Sequence, residues 1–299
     1  MAGSFTAVDL SQLAAPDVVE TLDYEVILAA MVADLQSRDP AFTALVESDP
    51  AFKILEVAAY RETLIRQRVN DGAKAVMLAY AGGADLDQIA ANYNVERLVL
   101  DPGDPDAIPP VAPTLESDTA LRRRVQLSFE GFSTAGPVGA YVFHALGADP
   151  DVLDVSVASP TPGDVVVSVL SRQGDGTASA GLISAVDAVL SSDTVRPLTD
   201  NVTVQSATIV TYSVTVVLTV LPGPDGSVVL AQAQAALDAY IAETQRLGRD
   251  VTRSGLFAAL HQPGVQNVSL TAPAADIVID ADEASFCSAT SVTVGGVDE

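Results

Sequence analysis

The side chains in this sequence that could do chemistry are few. There are two histidines, His144 and His261, and one cysteine, Cys287, in 299 residues. Nucleophilic catalysis needs a Ser, Cys or Thr held against a base, and histidine is the usual base near neutral pH. Each histidine lies in or at the end of an apolar helical stretch, so packing or capping is the role expected of both. Cys287 stands in Ala284-Ser285-Phe286-Cys287-Ser288 with no basic neighbour to lower its pKa, and it reads as a small apolar residue. The spacing of these three residues matches no standard metal site.

Carboxylates are abundant, so pairs occur by chance. A glycan hydrolase would need a glutamate raised in pKa inside a pocket; Glu116 and Glu130 are the nearest in sequence to the glycine-containing block Gly131–Gly139. That block, GFSTAGPVG, has neither the P-loop lysine nor dinucleotide-binding spacing. Asp85 with Asp87, and Asp280 with Asp282, are loop pairs of the kind that bind calcium weakly, but no Asp-x-Asp-x-Asp-Gly loop ending in Glu is present. Arg122-Arg123-Arg124 is the one basic cluster, expected to pair with acidic surface. No catalytic, cofactor or metal site is therefore predicted.

Composition narrows the partners. Acidic side chains number 39 against 15 basic ones, for a net charge of −24. Binding phosphates without regard to sequence needs Lys and Arg. There is no basic residue between Arg196 and Arg246, and none after Arg253. A nucleic-acid partner is excluded on this ground, and an anionic membrane surface is disfavoured. Aromatics are 5 % with no Trp, which weighs against sugar and base stacking. One cysteine permits no intramolecular disulfide and fits synthesis in a reducing cytoplasm. No apolar run is long enough to span a bilayer, and the start, MAGSFTAVDLSQLAAPDVVETLDYE, lacks signal-peptide features.

The elements that would have to position any site form three regions. The predicted fold class is α+β: a helical N-terminal region, 1–100, then a proline-rich acidic linker, 101–116, then two small α+β modules with short antiparallel or mixed sheets, 117–200 and 201–299. An arm up to Asp23 precedes a helix from Tyr24 to Ser37, which stops before Asp39-Pro40. Ser48-Asp49-Pro50 supplies the next start, with Asp49 to cap and Pro50 at the first helical position. No breaker except Gly72 follows until Gly82-Gly83, so one long helix to Tyr80 is predicted. Phe52, Leu55, Ala59, Val69, Ala73, Val76 and Tyr80 follow a 3–4 spacing, interrupted by the Glu62/Arg66 pair. Ile54, Val57, Leu64 and Ile65 lie off that seam. A helix with apolar residues on more than one side wants neighbours on more than one side, so the seam is the candidate interface, its partner a helix from another subunit. Asp85-Leu86-Asp87-Gln88 resembles a capping box for a short helix to Tyr93.

DPGDPDAIPPVAP at 101–113 forbids helix and central strand and reads as a stiff, extended linker. Beyond it come helices at Ser117–Ser128 and from Gly136-Pro137 to Leu146, strands at Leu153–Ser159 and Asp164–Leu170, a helix at Ala178–Ser192, an alternating stretch at Thr208–Val220, and helices at Ser227–Gln245 and Thr252–His261. A helix, a short proline loop, a strand, a proline turn and a second strand recur after Phe143-His144-Ala145-Leu146 and again after Phe257-Ala258-Ala259-Leu260-His261, which suggests an internal duplication.

The stretches VDLSQLAAPDVVETLDYEVILAAMVADL, GADLDQIAANYNVER and ESDTALRRRVQLSFEGFSTAGPVGAYVFHALGADPDVLDVSV, followed by PGDVVVSVLSR, VRPLTDNVTVQ and LGRDVTRSGLFAALHQPGVQNVSL, resemble the baseplate J-like family of contractile-tailed phages and phage-tail-like particles. The resemblance covers nearly the whole chain, and GADLD and FSTAGPVGAY are its most specific parts. It implies a virion structural protein of the baseplate wedge, made in the host bacterial cytoplasm and without a catalytic residue. Its implied partners are a second wedge protein, met through a bundle of N-terminal helices, further copies of itself, and adjacent wedges that close a ring around the tail hub. The alternatives are a baseplate-associated cell-wall or glycan hydrolase and a calcium-dependent binding module.

Overall fold

The computed structural model describes residues 8–43, 45–133, 136–223 and 225–298. They form two compact units. One holds 8–97 and 116–126; the other holds 98–115 and 127–298.

In the first unit, Asp23 caps α1 (Tyr24–Arg38), its carboxylate accepting from the backbone N–H of Glu25 and Val26. Asp49 caps α2 (Pro50–Ala75) through Ala51 N–H, with Pro50 at the first turn. At 26 residues α2 is about 39 Å long. The two helices pack through Ile27 and Leu28 of α1 on Ala59 of α2, flanked by Tyr24, Met31, Val32, Phe52 and Leu55. Ala59 has no exposed surface, so the absence of a larger side chain is what lets the helices approach. The N-terminal arm is tied along α2: buried Asn70 accepts from Glu20 N–H and donates to Glu20 C=O (3.0 and 2.8 Å), a side chain standing in for a strand partner.

The long helix was expected to reach Tyr80, but it ends at Ala75. The carbonyls of Leu78 and Ala81 turn instead to the Arg122 guanidinium, both at 2.7 Å. Such a tertiary donor leaves no pattern in the local sequence. α3 (Gly83–Ala91) starts before the expected capping box, and no side chain of its own N-cap serves it. The Asp118 carboxylate supplies the cap, accepting from Gly83 N–H at 3.1 Å. Asp118 opens α4 (Asp118–Gly131).

The proline-rich segment expected as an extended linker doubles back. β1 (Val99–Asp101) pairs antiparallel with β2 (Thr114–Leu115), and Asp104 bridges Val111. Gly103 lies at φ +68°, where a Cβ would sit 2.4 Å from the Val111 carbonyl oxygen, so glycine is required at that turn.

The second unit carries two three-stranded sheets of one plan. α5 (Val138–Ala148) leads into β3 (Val152–Ala158), β4 (Asp164–Ser171), α6 (Ala180–Leu190) and β5 (Asn201–Ser206). β3 pairs antiparallel with β4, and β4 pairs parallel with β5. The helices close this sheet over Val155, Val167, Val169, Leu182, Val186 and Leu190. Then β6 (Thr208–Val220), α7 (Gly226–Thr244), α8 (Arg253–Leu260), β7 (Val265–Ala272) and β8 (Glu283–Val297) follow. β6 is central, antiparallel to β7 and parallel to β8. Val214, Val216 and Leu218 alternate inward onto Val229, Ala233, Leu237 and Leu256. Both sheets thus run antiparallel edge, centre, parallel edge. The expected recurrence is seen in α5–β3 and α8–β7. The strand after the second proline turn differs, since β8 pairs with β6 rather than with β7. The sheets join where β5 runs through Ala207 into β6. There Leu170, Ala207 and Ala284 are buried together, and buried Asp154 accepts from Leu247 N–H at 3.2 Å.

Candidate interaction surfaces

The predicted seam on α2 divides. Phe52, Leu55 and Ala59 face α1 within the same chain. Ala73 is half-buried, while Val69 and Val76 are 58 % and 75 % exposed. Tyr80 lies past the helix end and donates its hydroxyl to Leu13 C=O at 2.6 Å. The division follows from helix geometry, because a strict 3.5-residue repeat drifts about 20° per heptad around a straight helix. The seam that begins against α1 therefore winds out to solvent.

The residues set aside from that seam form the larger exposed surface. Ile54 is 70 % and Ile65 66 % exposed, with Val57 and Leu64 also open. At about 100° per residue, Ile54, Val57, Ala58, Ile65 and Val69 lie within an arc of about 120°, on the side of α2 away from Ala59, and exposed Arg61 and Arg68 share that arc. A second apolar surface lies on α1, a shallow groove of Leu28, Ala29, Val32, Ala33 and Phe52 rimmed by Glu25 and Gln36.

The residues with chemical potential are spread through the structure. Glu116 and Arg124 form a buried ion pair at 2.7 Å, and Arg124 also donates to Glu96 C=O at 3.0 Å. Arg97 binds Asp87 and Asp118 at 2.6 and 2.7 Å and Glu116 C=O at 2.6 Å. Burial alone would raise the Asp118 pKa; Arg97, Gly83 N–H and Arg122 outweigh it and hold the carboxyl below its ordinary value. Glu130 packs its methylenes against Gly139, where a Cβ would lie 2.7 Å from Glu130 Cγ. His261 is the C-cap of α8. Cys287 is half-buried, and burial pushes its thiol pKa up, away from reactivity. Among the described residues no three His, Cys, Asp or Glu side chains come together to hold a metal, and no helix is long and apolar enough to cross a membrane.

His144 packs edge-on to Phe143 (centroids 5.3 Å apart) with Nε2 3.2 Å from Gly131 C=O. Burial lowers its pKa, more than the bond to Gly131 raises it. The unfolded chain then takes up the proton first, so stability falls as pH drops below about 6.5 and is unaffected by this group above it. Urea midpoints measured between about pH 7.5 and 5.5 are expected to fall further in the wild type than in His144→Gln. Equal slopes in the two proteins would show that His144 is not the source.

With the geometry in hand, comparisons with known proteins place the chain. Residues 47–104 match the baseplate J-like N-terminal domain, 133–206 the baseplate J-like central domain, and 212–295 the baseplate J-like protein C-terminal domain. The chain belongs to the baseplate J-like family. Baseplate protein J of Escherichia phage P2 is 51 % identical over 299 residues, which is 98 % of this chain and 99 % of that protein. A chain in the cryo-EM structure of the anti-feeding prophage baseplate, 6-fold symmetrised, is also similar. It is 18 % identical with a TM-score of 0.42, and the match covers 60 % of this chain and 43 % of that one.

Proposed function

We propose that the chain is a structural component of the baseplate wedge of a contractile tail, not an enzyme, and that it resides in the assembled virion. It joins a second wedge protein through the helical unit and meets neighbouring wedges and further copies of itself through the α+β unit, in a ring around the tail hub. The observation that carries this reading is the open apolar face of α2, Ile54, Val57, Ile65 and Val69. Large exposed apolar side chains gathered on one helix face usually mark an interaction surface, here with exposed Arg61 and Arg68 among them, and the groove on α1 offers a third helix a second seat. Family membership supports the same reading.

Ile65→Glu with Val69→Glu tests it. Both sites are exposed, so folding stability should change by no more than about 0.5 kcal/mol per site. Each side chain covered in a helix bundle contributes about 1.5–3 kcal/mol, so binding to the wedge neighbours should weaken by about tenfold or more. Co-purification with those neighbours and the yield of assembled particles are the readouts. Wild-type binding by the double variant would refute the role given to this face.

A further inference from the structure

The N-terminal arm is held by a row of side chains that grip its main chain. Asn70 pairs with both the N–H and the C=O of Glu20. Tyr80 donates to Leu13 C=O at 2.6 Å, and Gln126 of α4 donates to Val8 C=O at 2.9 Å. The arm's own side chains contribute little. None of its apolar side chains from Val8 to Leu22 is buried, and Val8, Leu13 and Val18 are exposed. Glu20 reaches Arg66 at 3.2 Å, but both side chains are open to solvent. The arm is therefore bound through its backbone, as an added strand is bound at a sheet edge, with side chains taking the part of the edge.

The seat explains the grip. Tyr24 hydroxyl meets Glu56 C=O, Glu20 meets Arg66 and Asn70, and Leu13 meets Tyr80. The arm thus continues the line of α1, antiparallel to α2. Ala59 and Asn70 are the two buried residues of α2. At about 100° per residue they lie about 20° apart around the helix, so one stripe serves α1 and the arm alike. The first half of that stripe, Phe52, Leu55 and Ala59, is apolar and takes a helix. The second half, Thr63, Arg66 and Asn70, is polar. A helix laid there would bring backbone groups already bonded to one another and would give buried Asn70 no main-chain partner, at the cost of an unsatisfied amide. An extended segment brings free N–H and C=O groups. We propose that Asn70, Tyr80 and Gln126 form a binding site for the main chain of an extended peptide, and that the arm is its exchangeable occupant rather than part of the folded core. Asn70 lies about 100° around α2 from Val69 and about 140° from Ile65. The site is separate from the open apolar face, and the proposal does not rest on the role given to that face.

Glu20→Pro in the full chain removes the N–H that Asn70 accepts. Protease cleavage within residues 8–22 should rise about tenfold, while the thermal midpoint of the chain stays at the wild-type value. Glu20→Gln keeps both main-chain bonds and loses only an exposed ion pair, so cleavage should change by about twofold or less. A fluorescent peptide of residues 8–23 should bind the Glu20→Pro chain saturably. It should bind the wild type at least about tenfold more weakly, because the tethered arm fills the site. Methylating the peptide's Glu20 nitrogen, which leaves every side chain in place, should weaken binding to the Glu20→Pro chain about tenfold, as should Asn70→Ala in that chain. A thermal midpoint that falls when the arm is released would make the arm part of the core and overturn the proposal. So would a peptide that does not bind the Glu20→Pro chain, or one that binds equally well with its Glu20 nitrogen methylated.

Discussion

Glu116→Ala is expected to cost about 3–5 kcal/mol of folding stability, a large fraction of the total for a protein of ordinary stability. The Glu116 side chain is 1 % exposed and its partner Arg124 10 %. Removing the carboxylate leaves the guanidinium buried with no counter-charge, and Glu96 C=O can answer only part of it. The cost belongs to the orphaned charge rather than to the bond. Replacing both partners, Glu116→Leu with Arg124→Met, should therefore recover most of the loss, because well-packed apolar pairs often match a buried ion pair. Urea denaturation of the two single variants and the double variant measures this directly. A single-variant cost below about 1 kcal/mol would mean that the pair behaves as a surface bridge despite its burial.

Ala59→Glu should be comparably severe, by about 3–5 kcal/mol, through a different mechanism. Ala59 lies fully buried between Ile27 and Leu28, and a glutamate there must either bury a charge or force α1 off α2. Val76→Glu, at a 75 % exposed position, should leave folding within about 0.5 kcal/mol of wild type. Far-ultraviolet circular dichroism and proteolysis of the α1 segment distinguish the two variants. If both fold equally well, the intrachain packing of α1 on Ala59 is mistaken. The 3–4 spacing puts both residues on one seam and predicts one kind of damage; the structure gives them different roles.

That contrast shows how far the sequence could be read. Local signals carried well. Asp23 and Asp49 cap the helices they precede, Pro160 to Gly163 turns β3 into β4, and the alternation over Thr208–Val220 is a single strand. Features decided by distant partners did not carry. The end of α2 is set by Arg122 and the start of α3 by Asp118, both more than 30 positions away. β8 was hidden for a different reason. Bulges at Ser288 and Gly295 each slip the two-residue period by one, so its alternation is broken twice. The candidate surface was half legible: an excess of apolar residues on α2 is plain in the sequence, but which of them α1 uses follows only from packing. Nothing in the composition pointed to Asn70 as the clasp of the N-terminal arm.

The two compact units interleave along the chain. The backbone passes between them at 97–98, at 115–116 and again at 126–127. No contiguous stretch of polypeptide corresponds to the helical unit, because 116–126 returns to it after the proline hairpin. Cleavage within 102–113 would therefore not liberate a helical fragment. Arg122, Arg124 and Asp118 would remain bound to Leu78, Ala81, Glu96, Arg97 and Gly83 across the break. The helical unit is severable on paper at residue 100, but in the folded molecule it is sewn shut by a piece of chain that comes later.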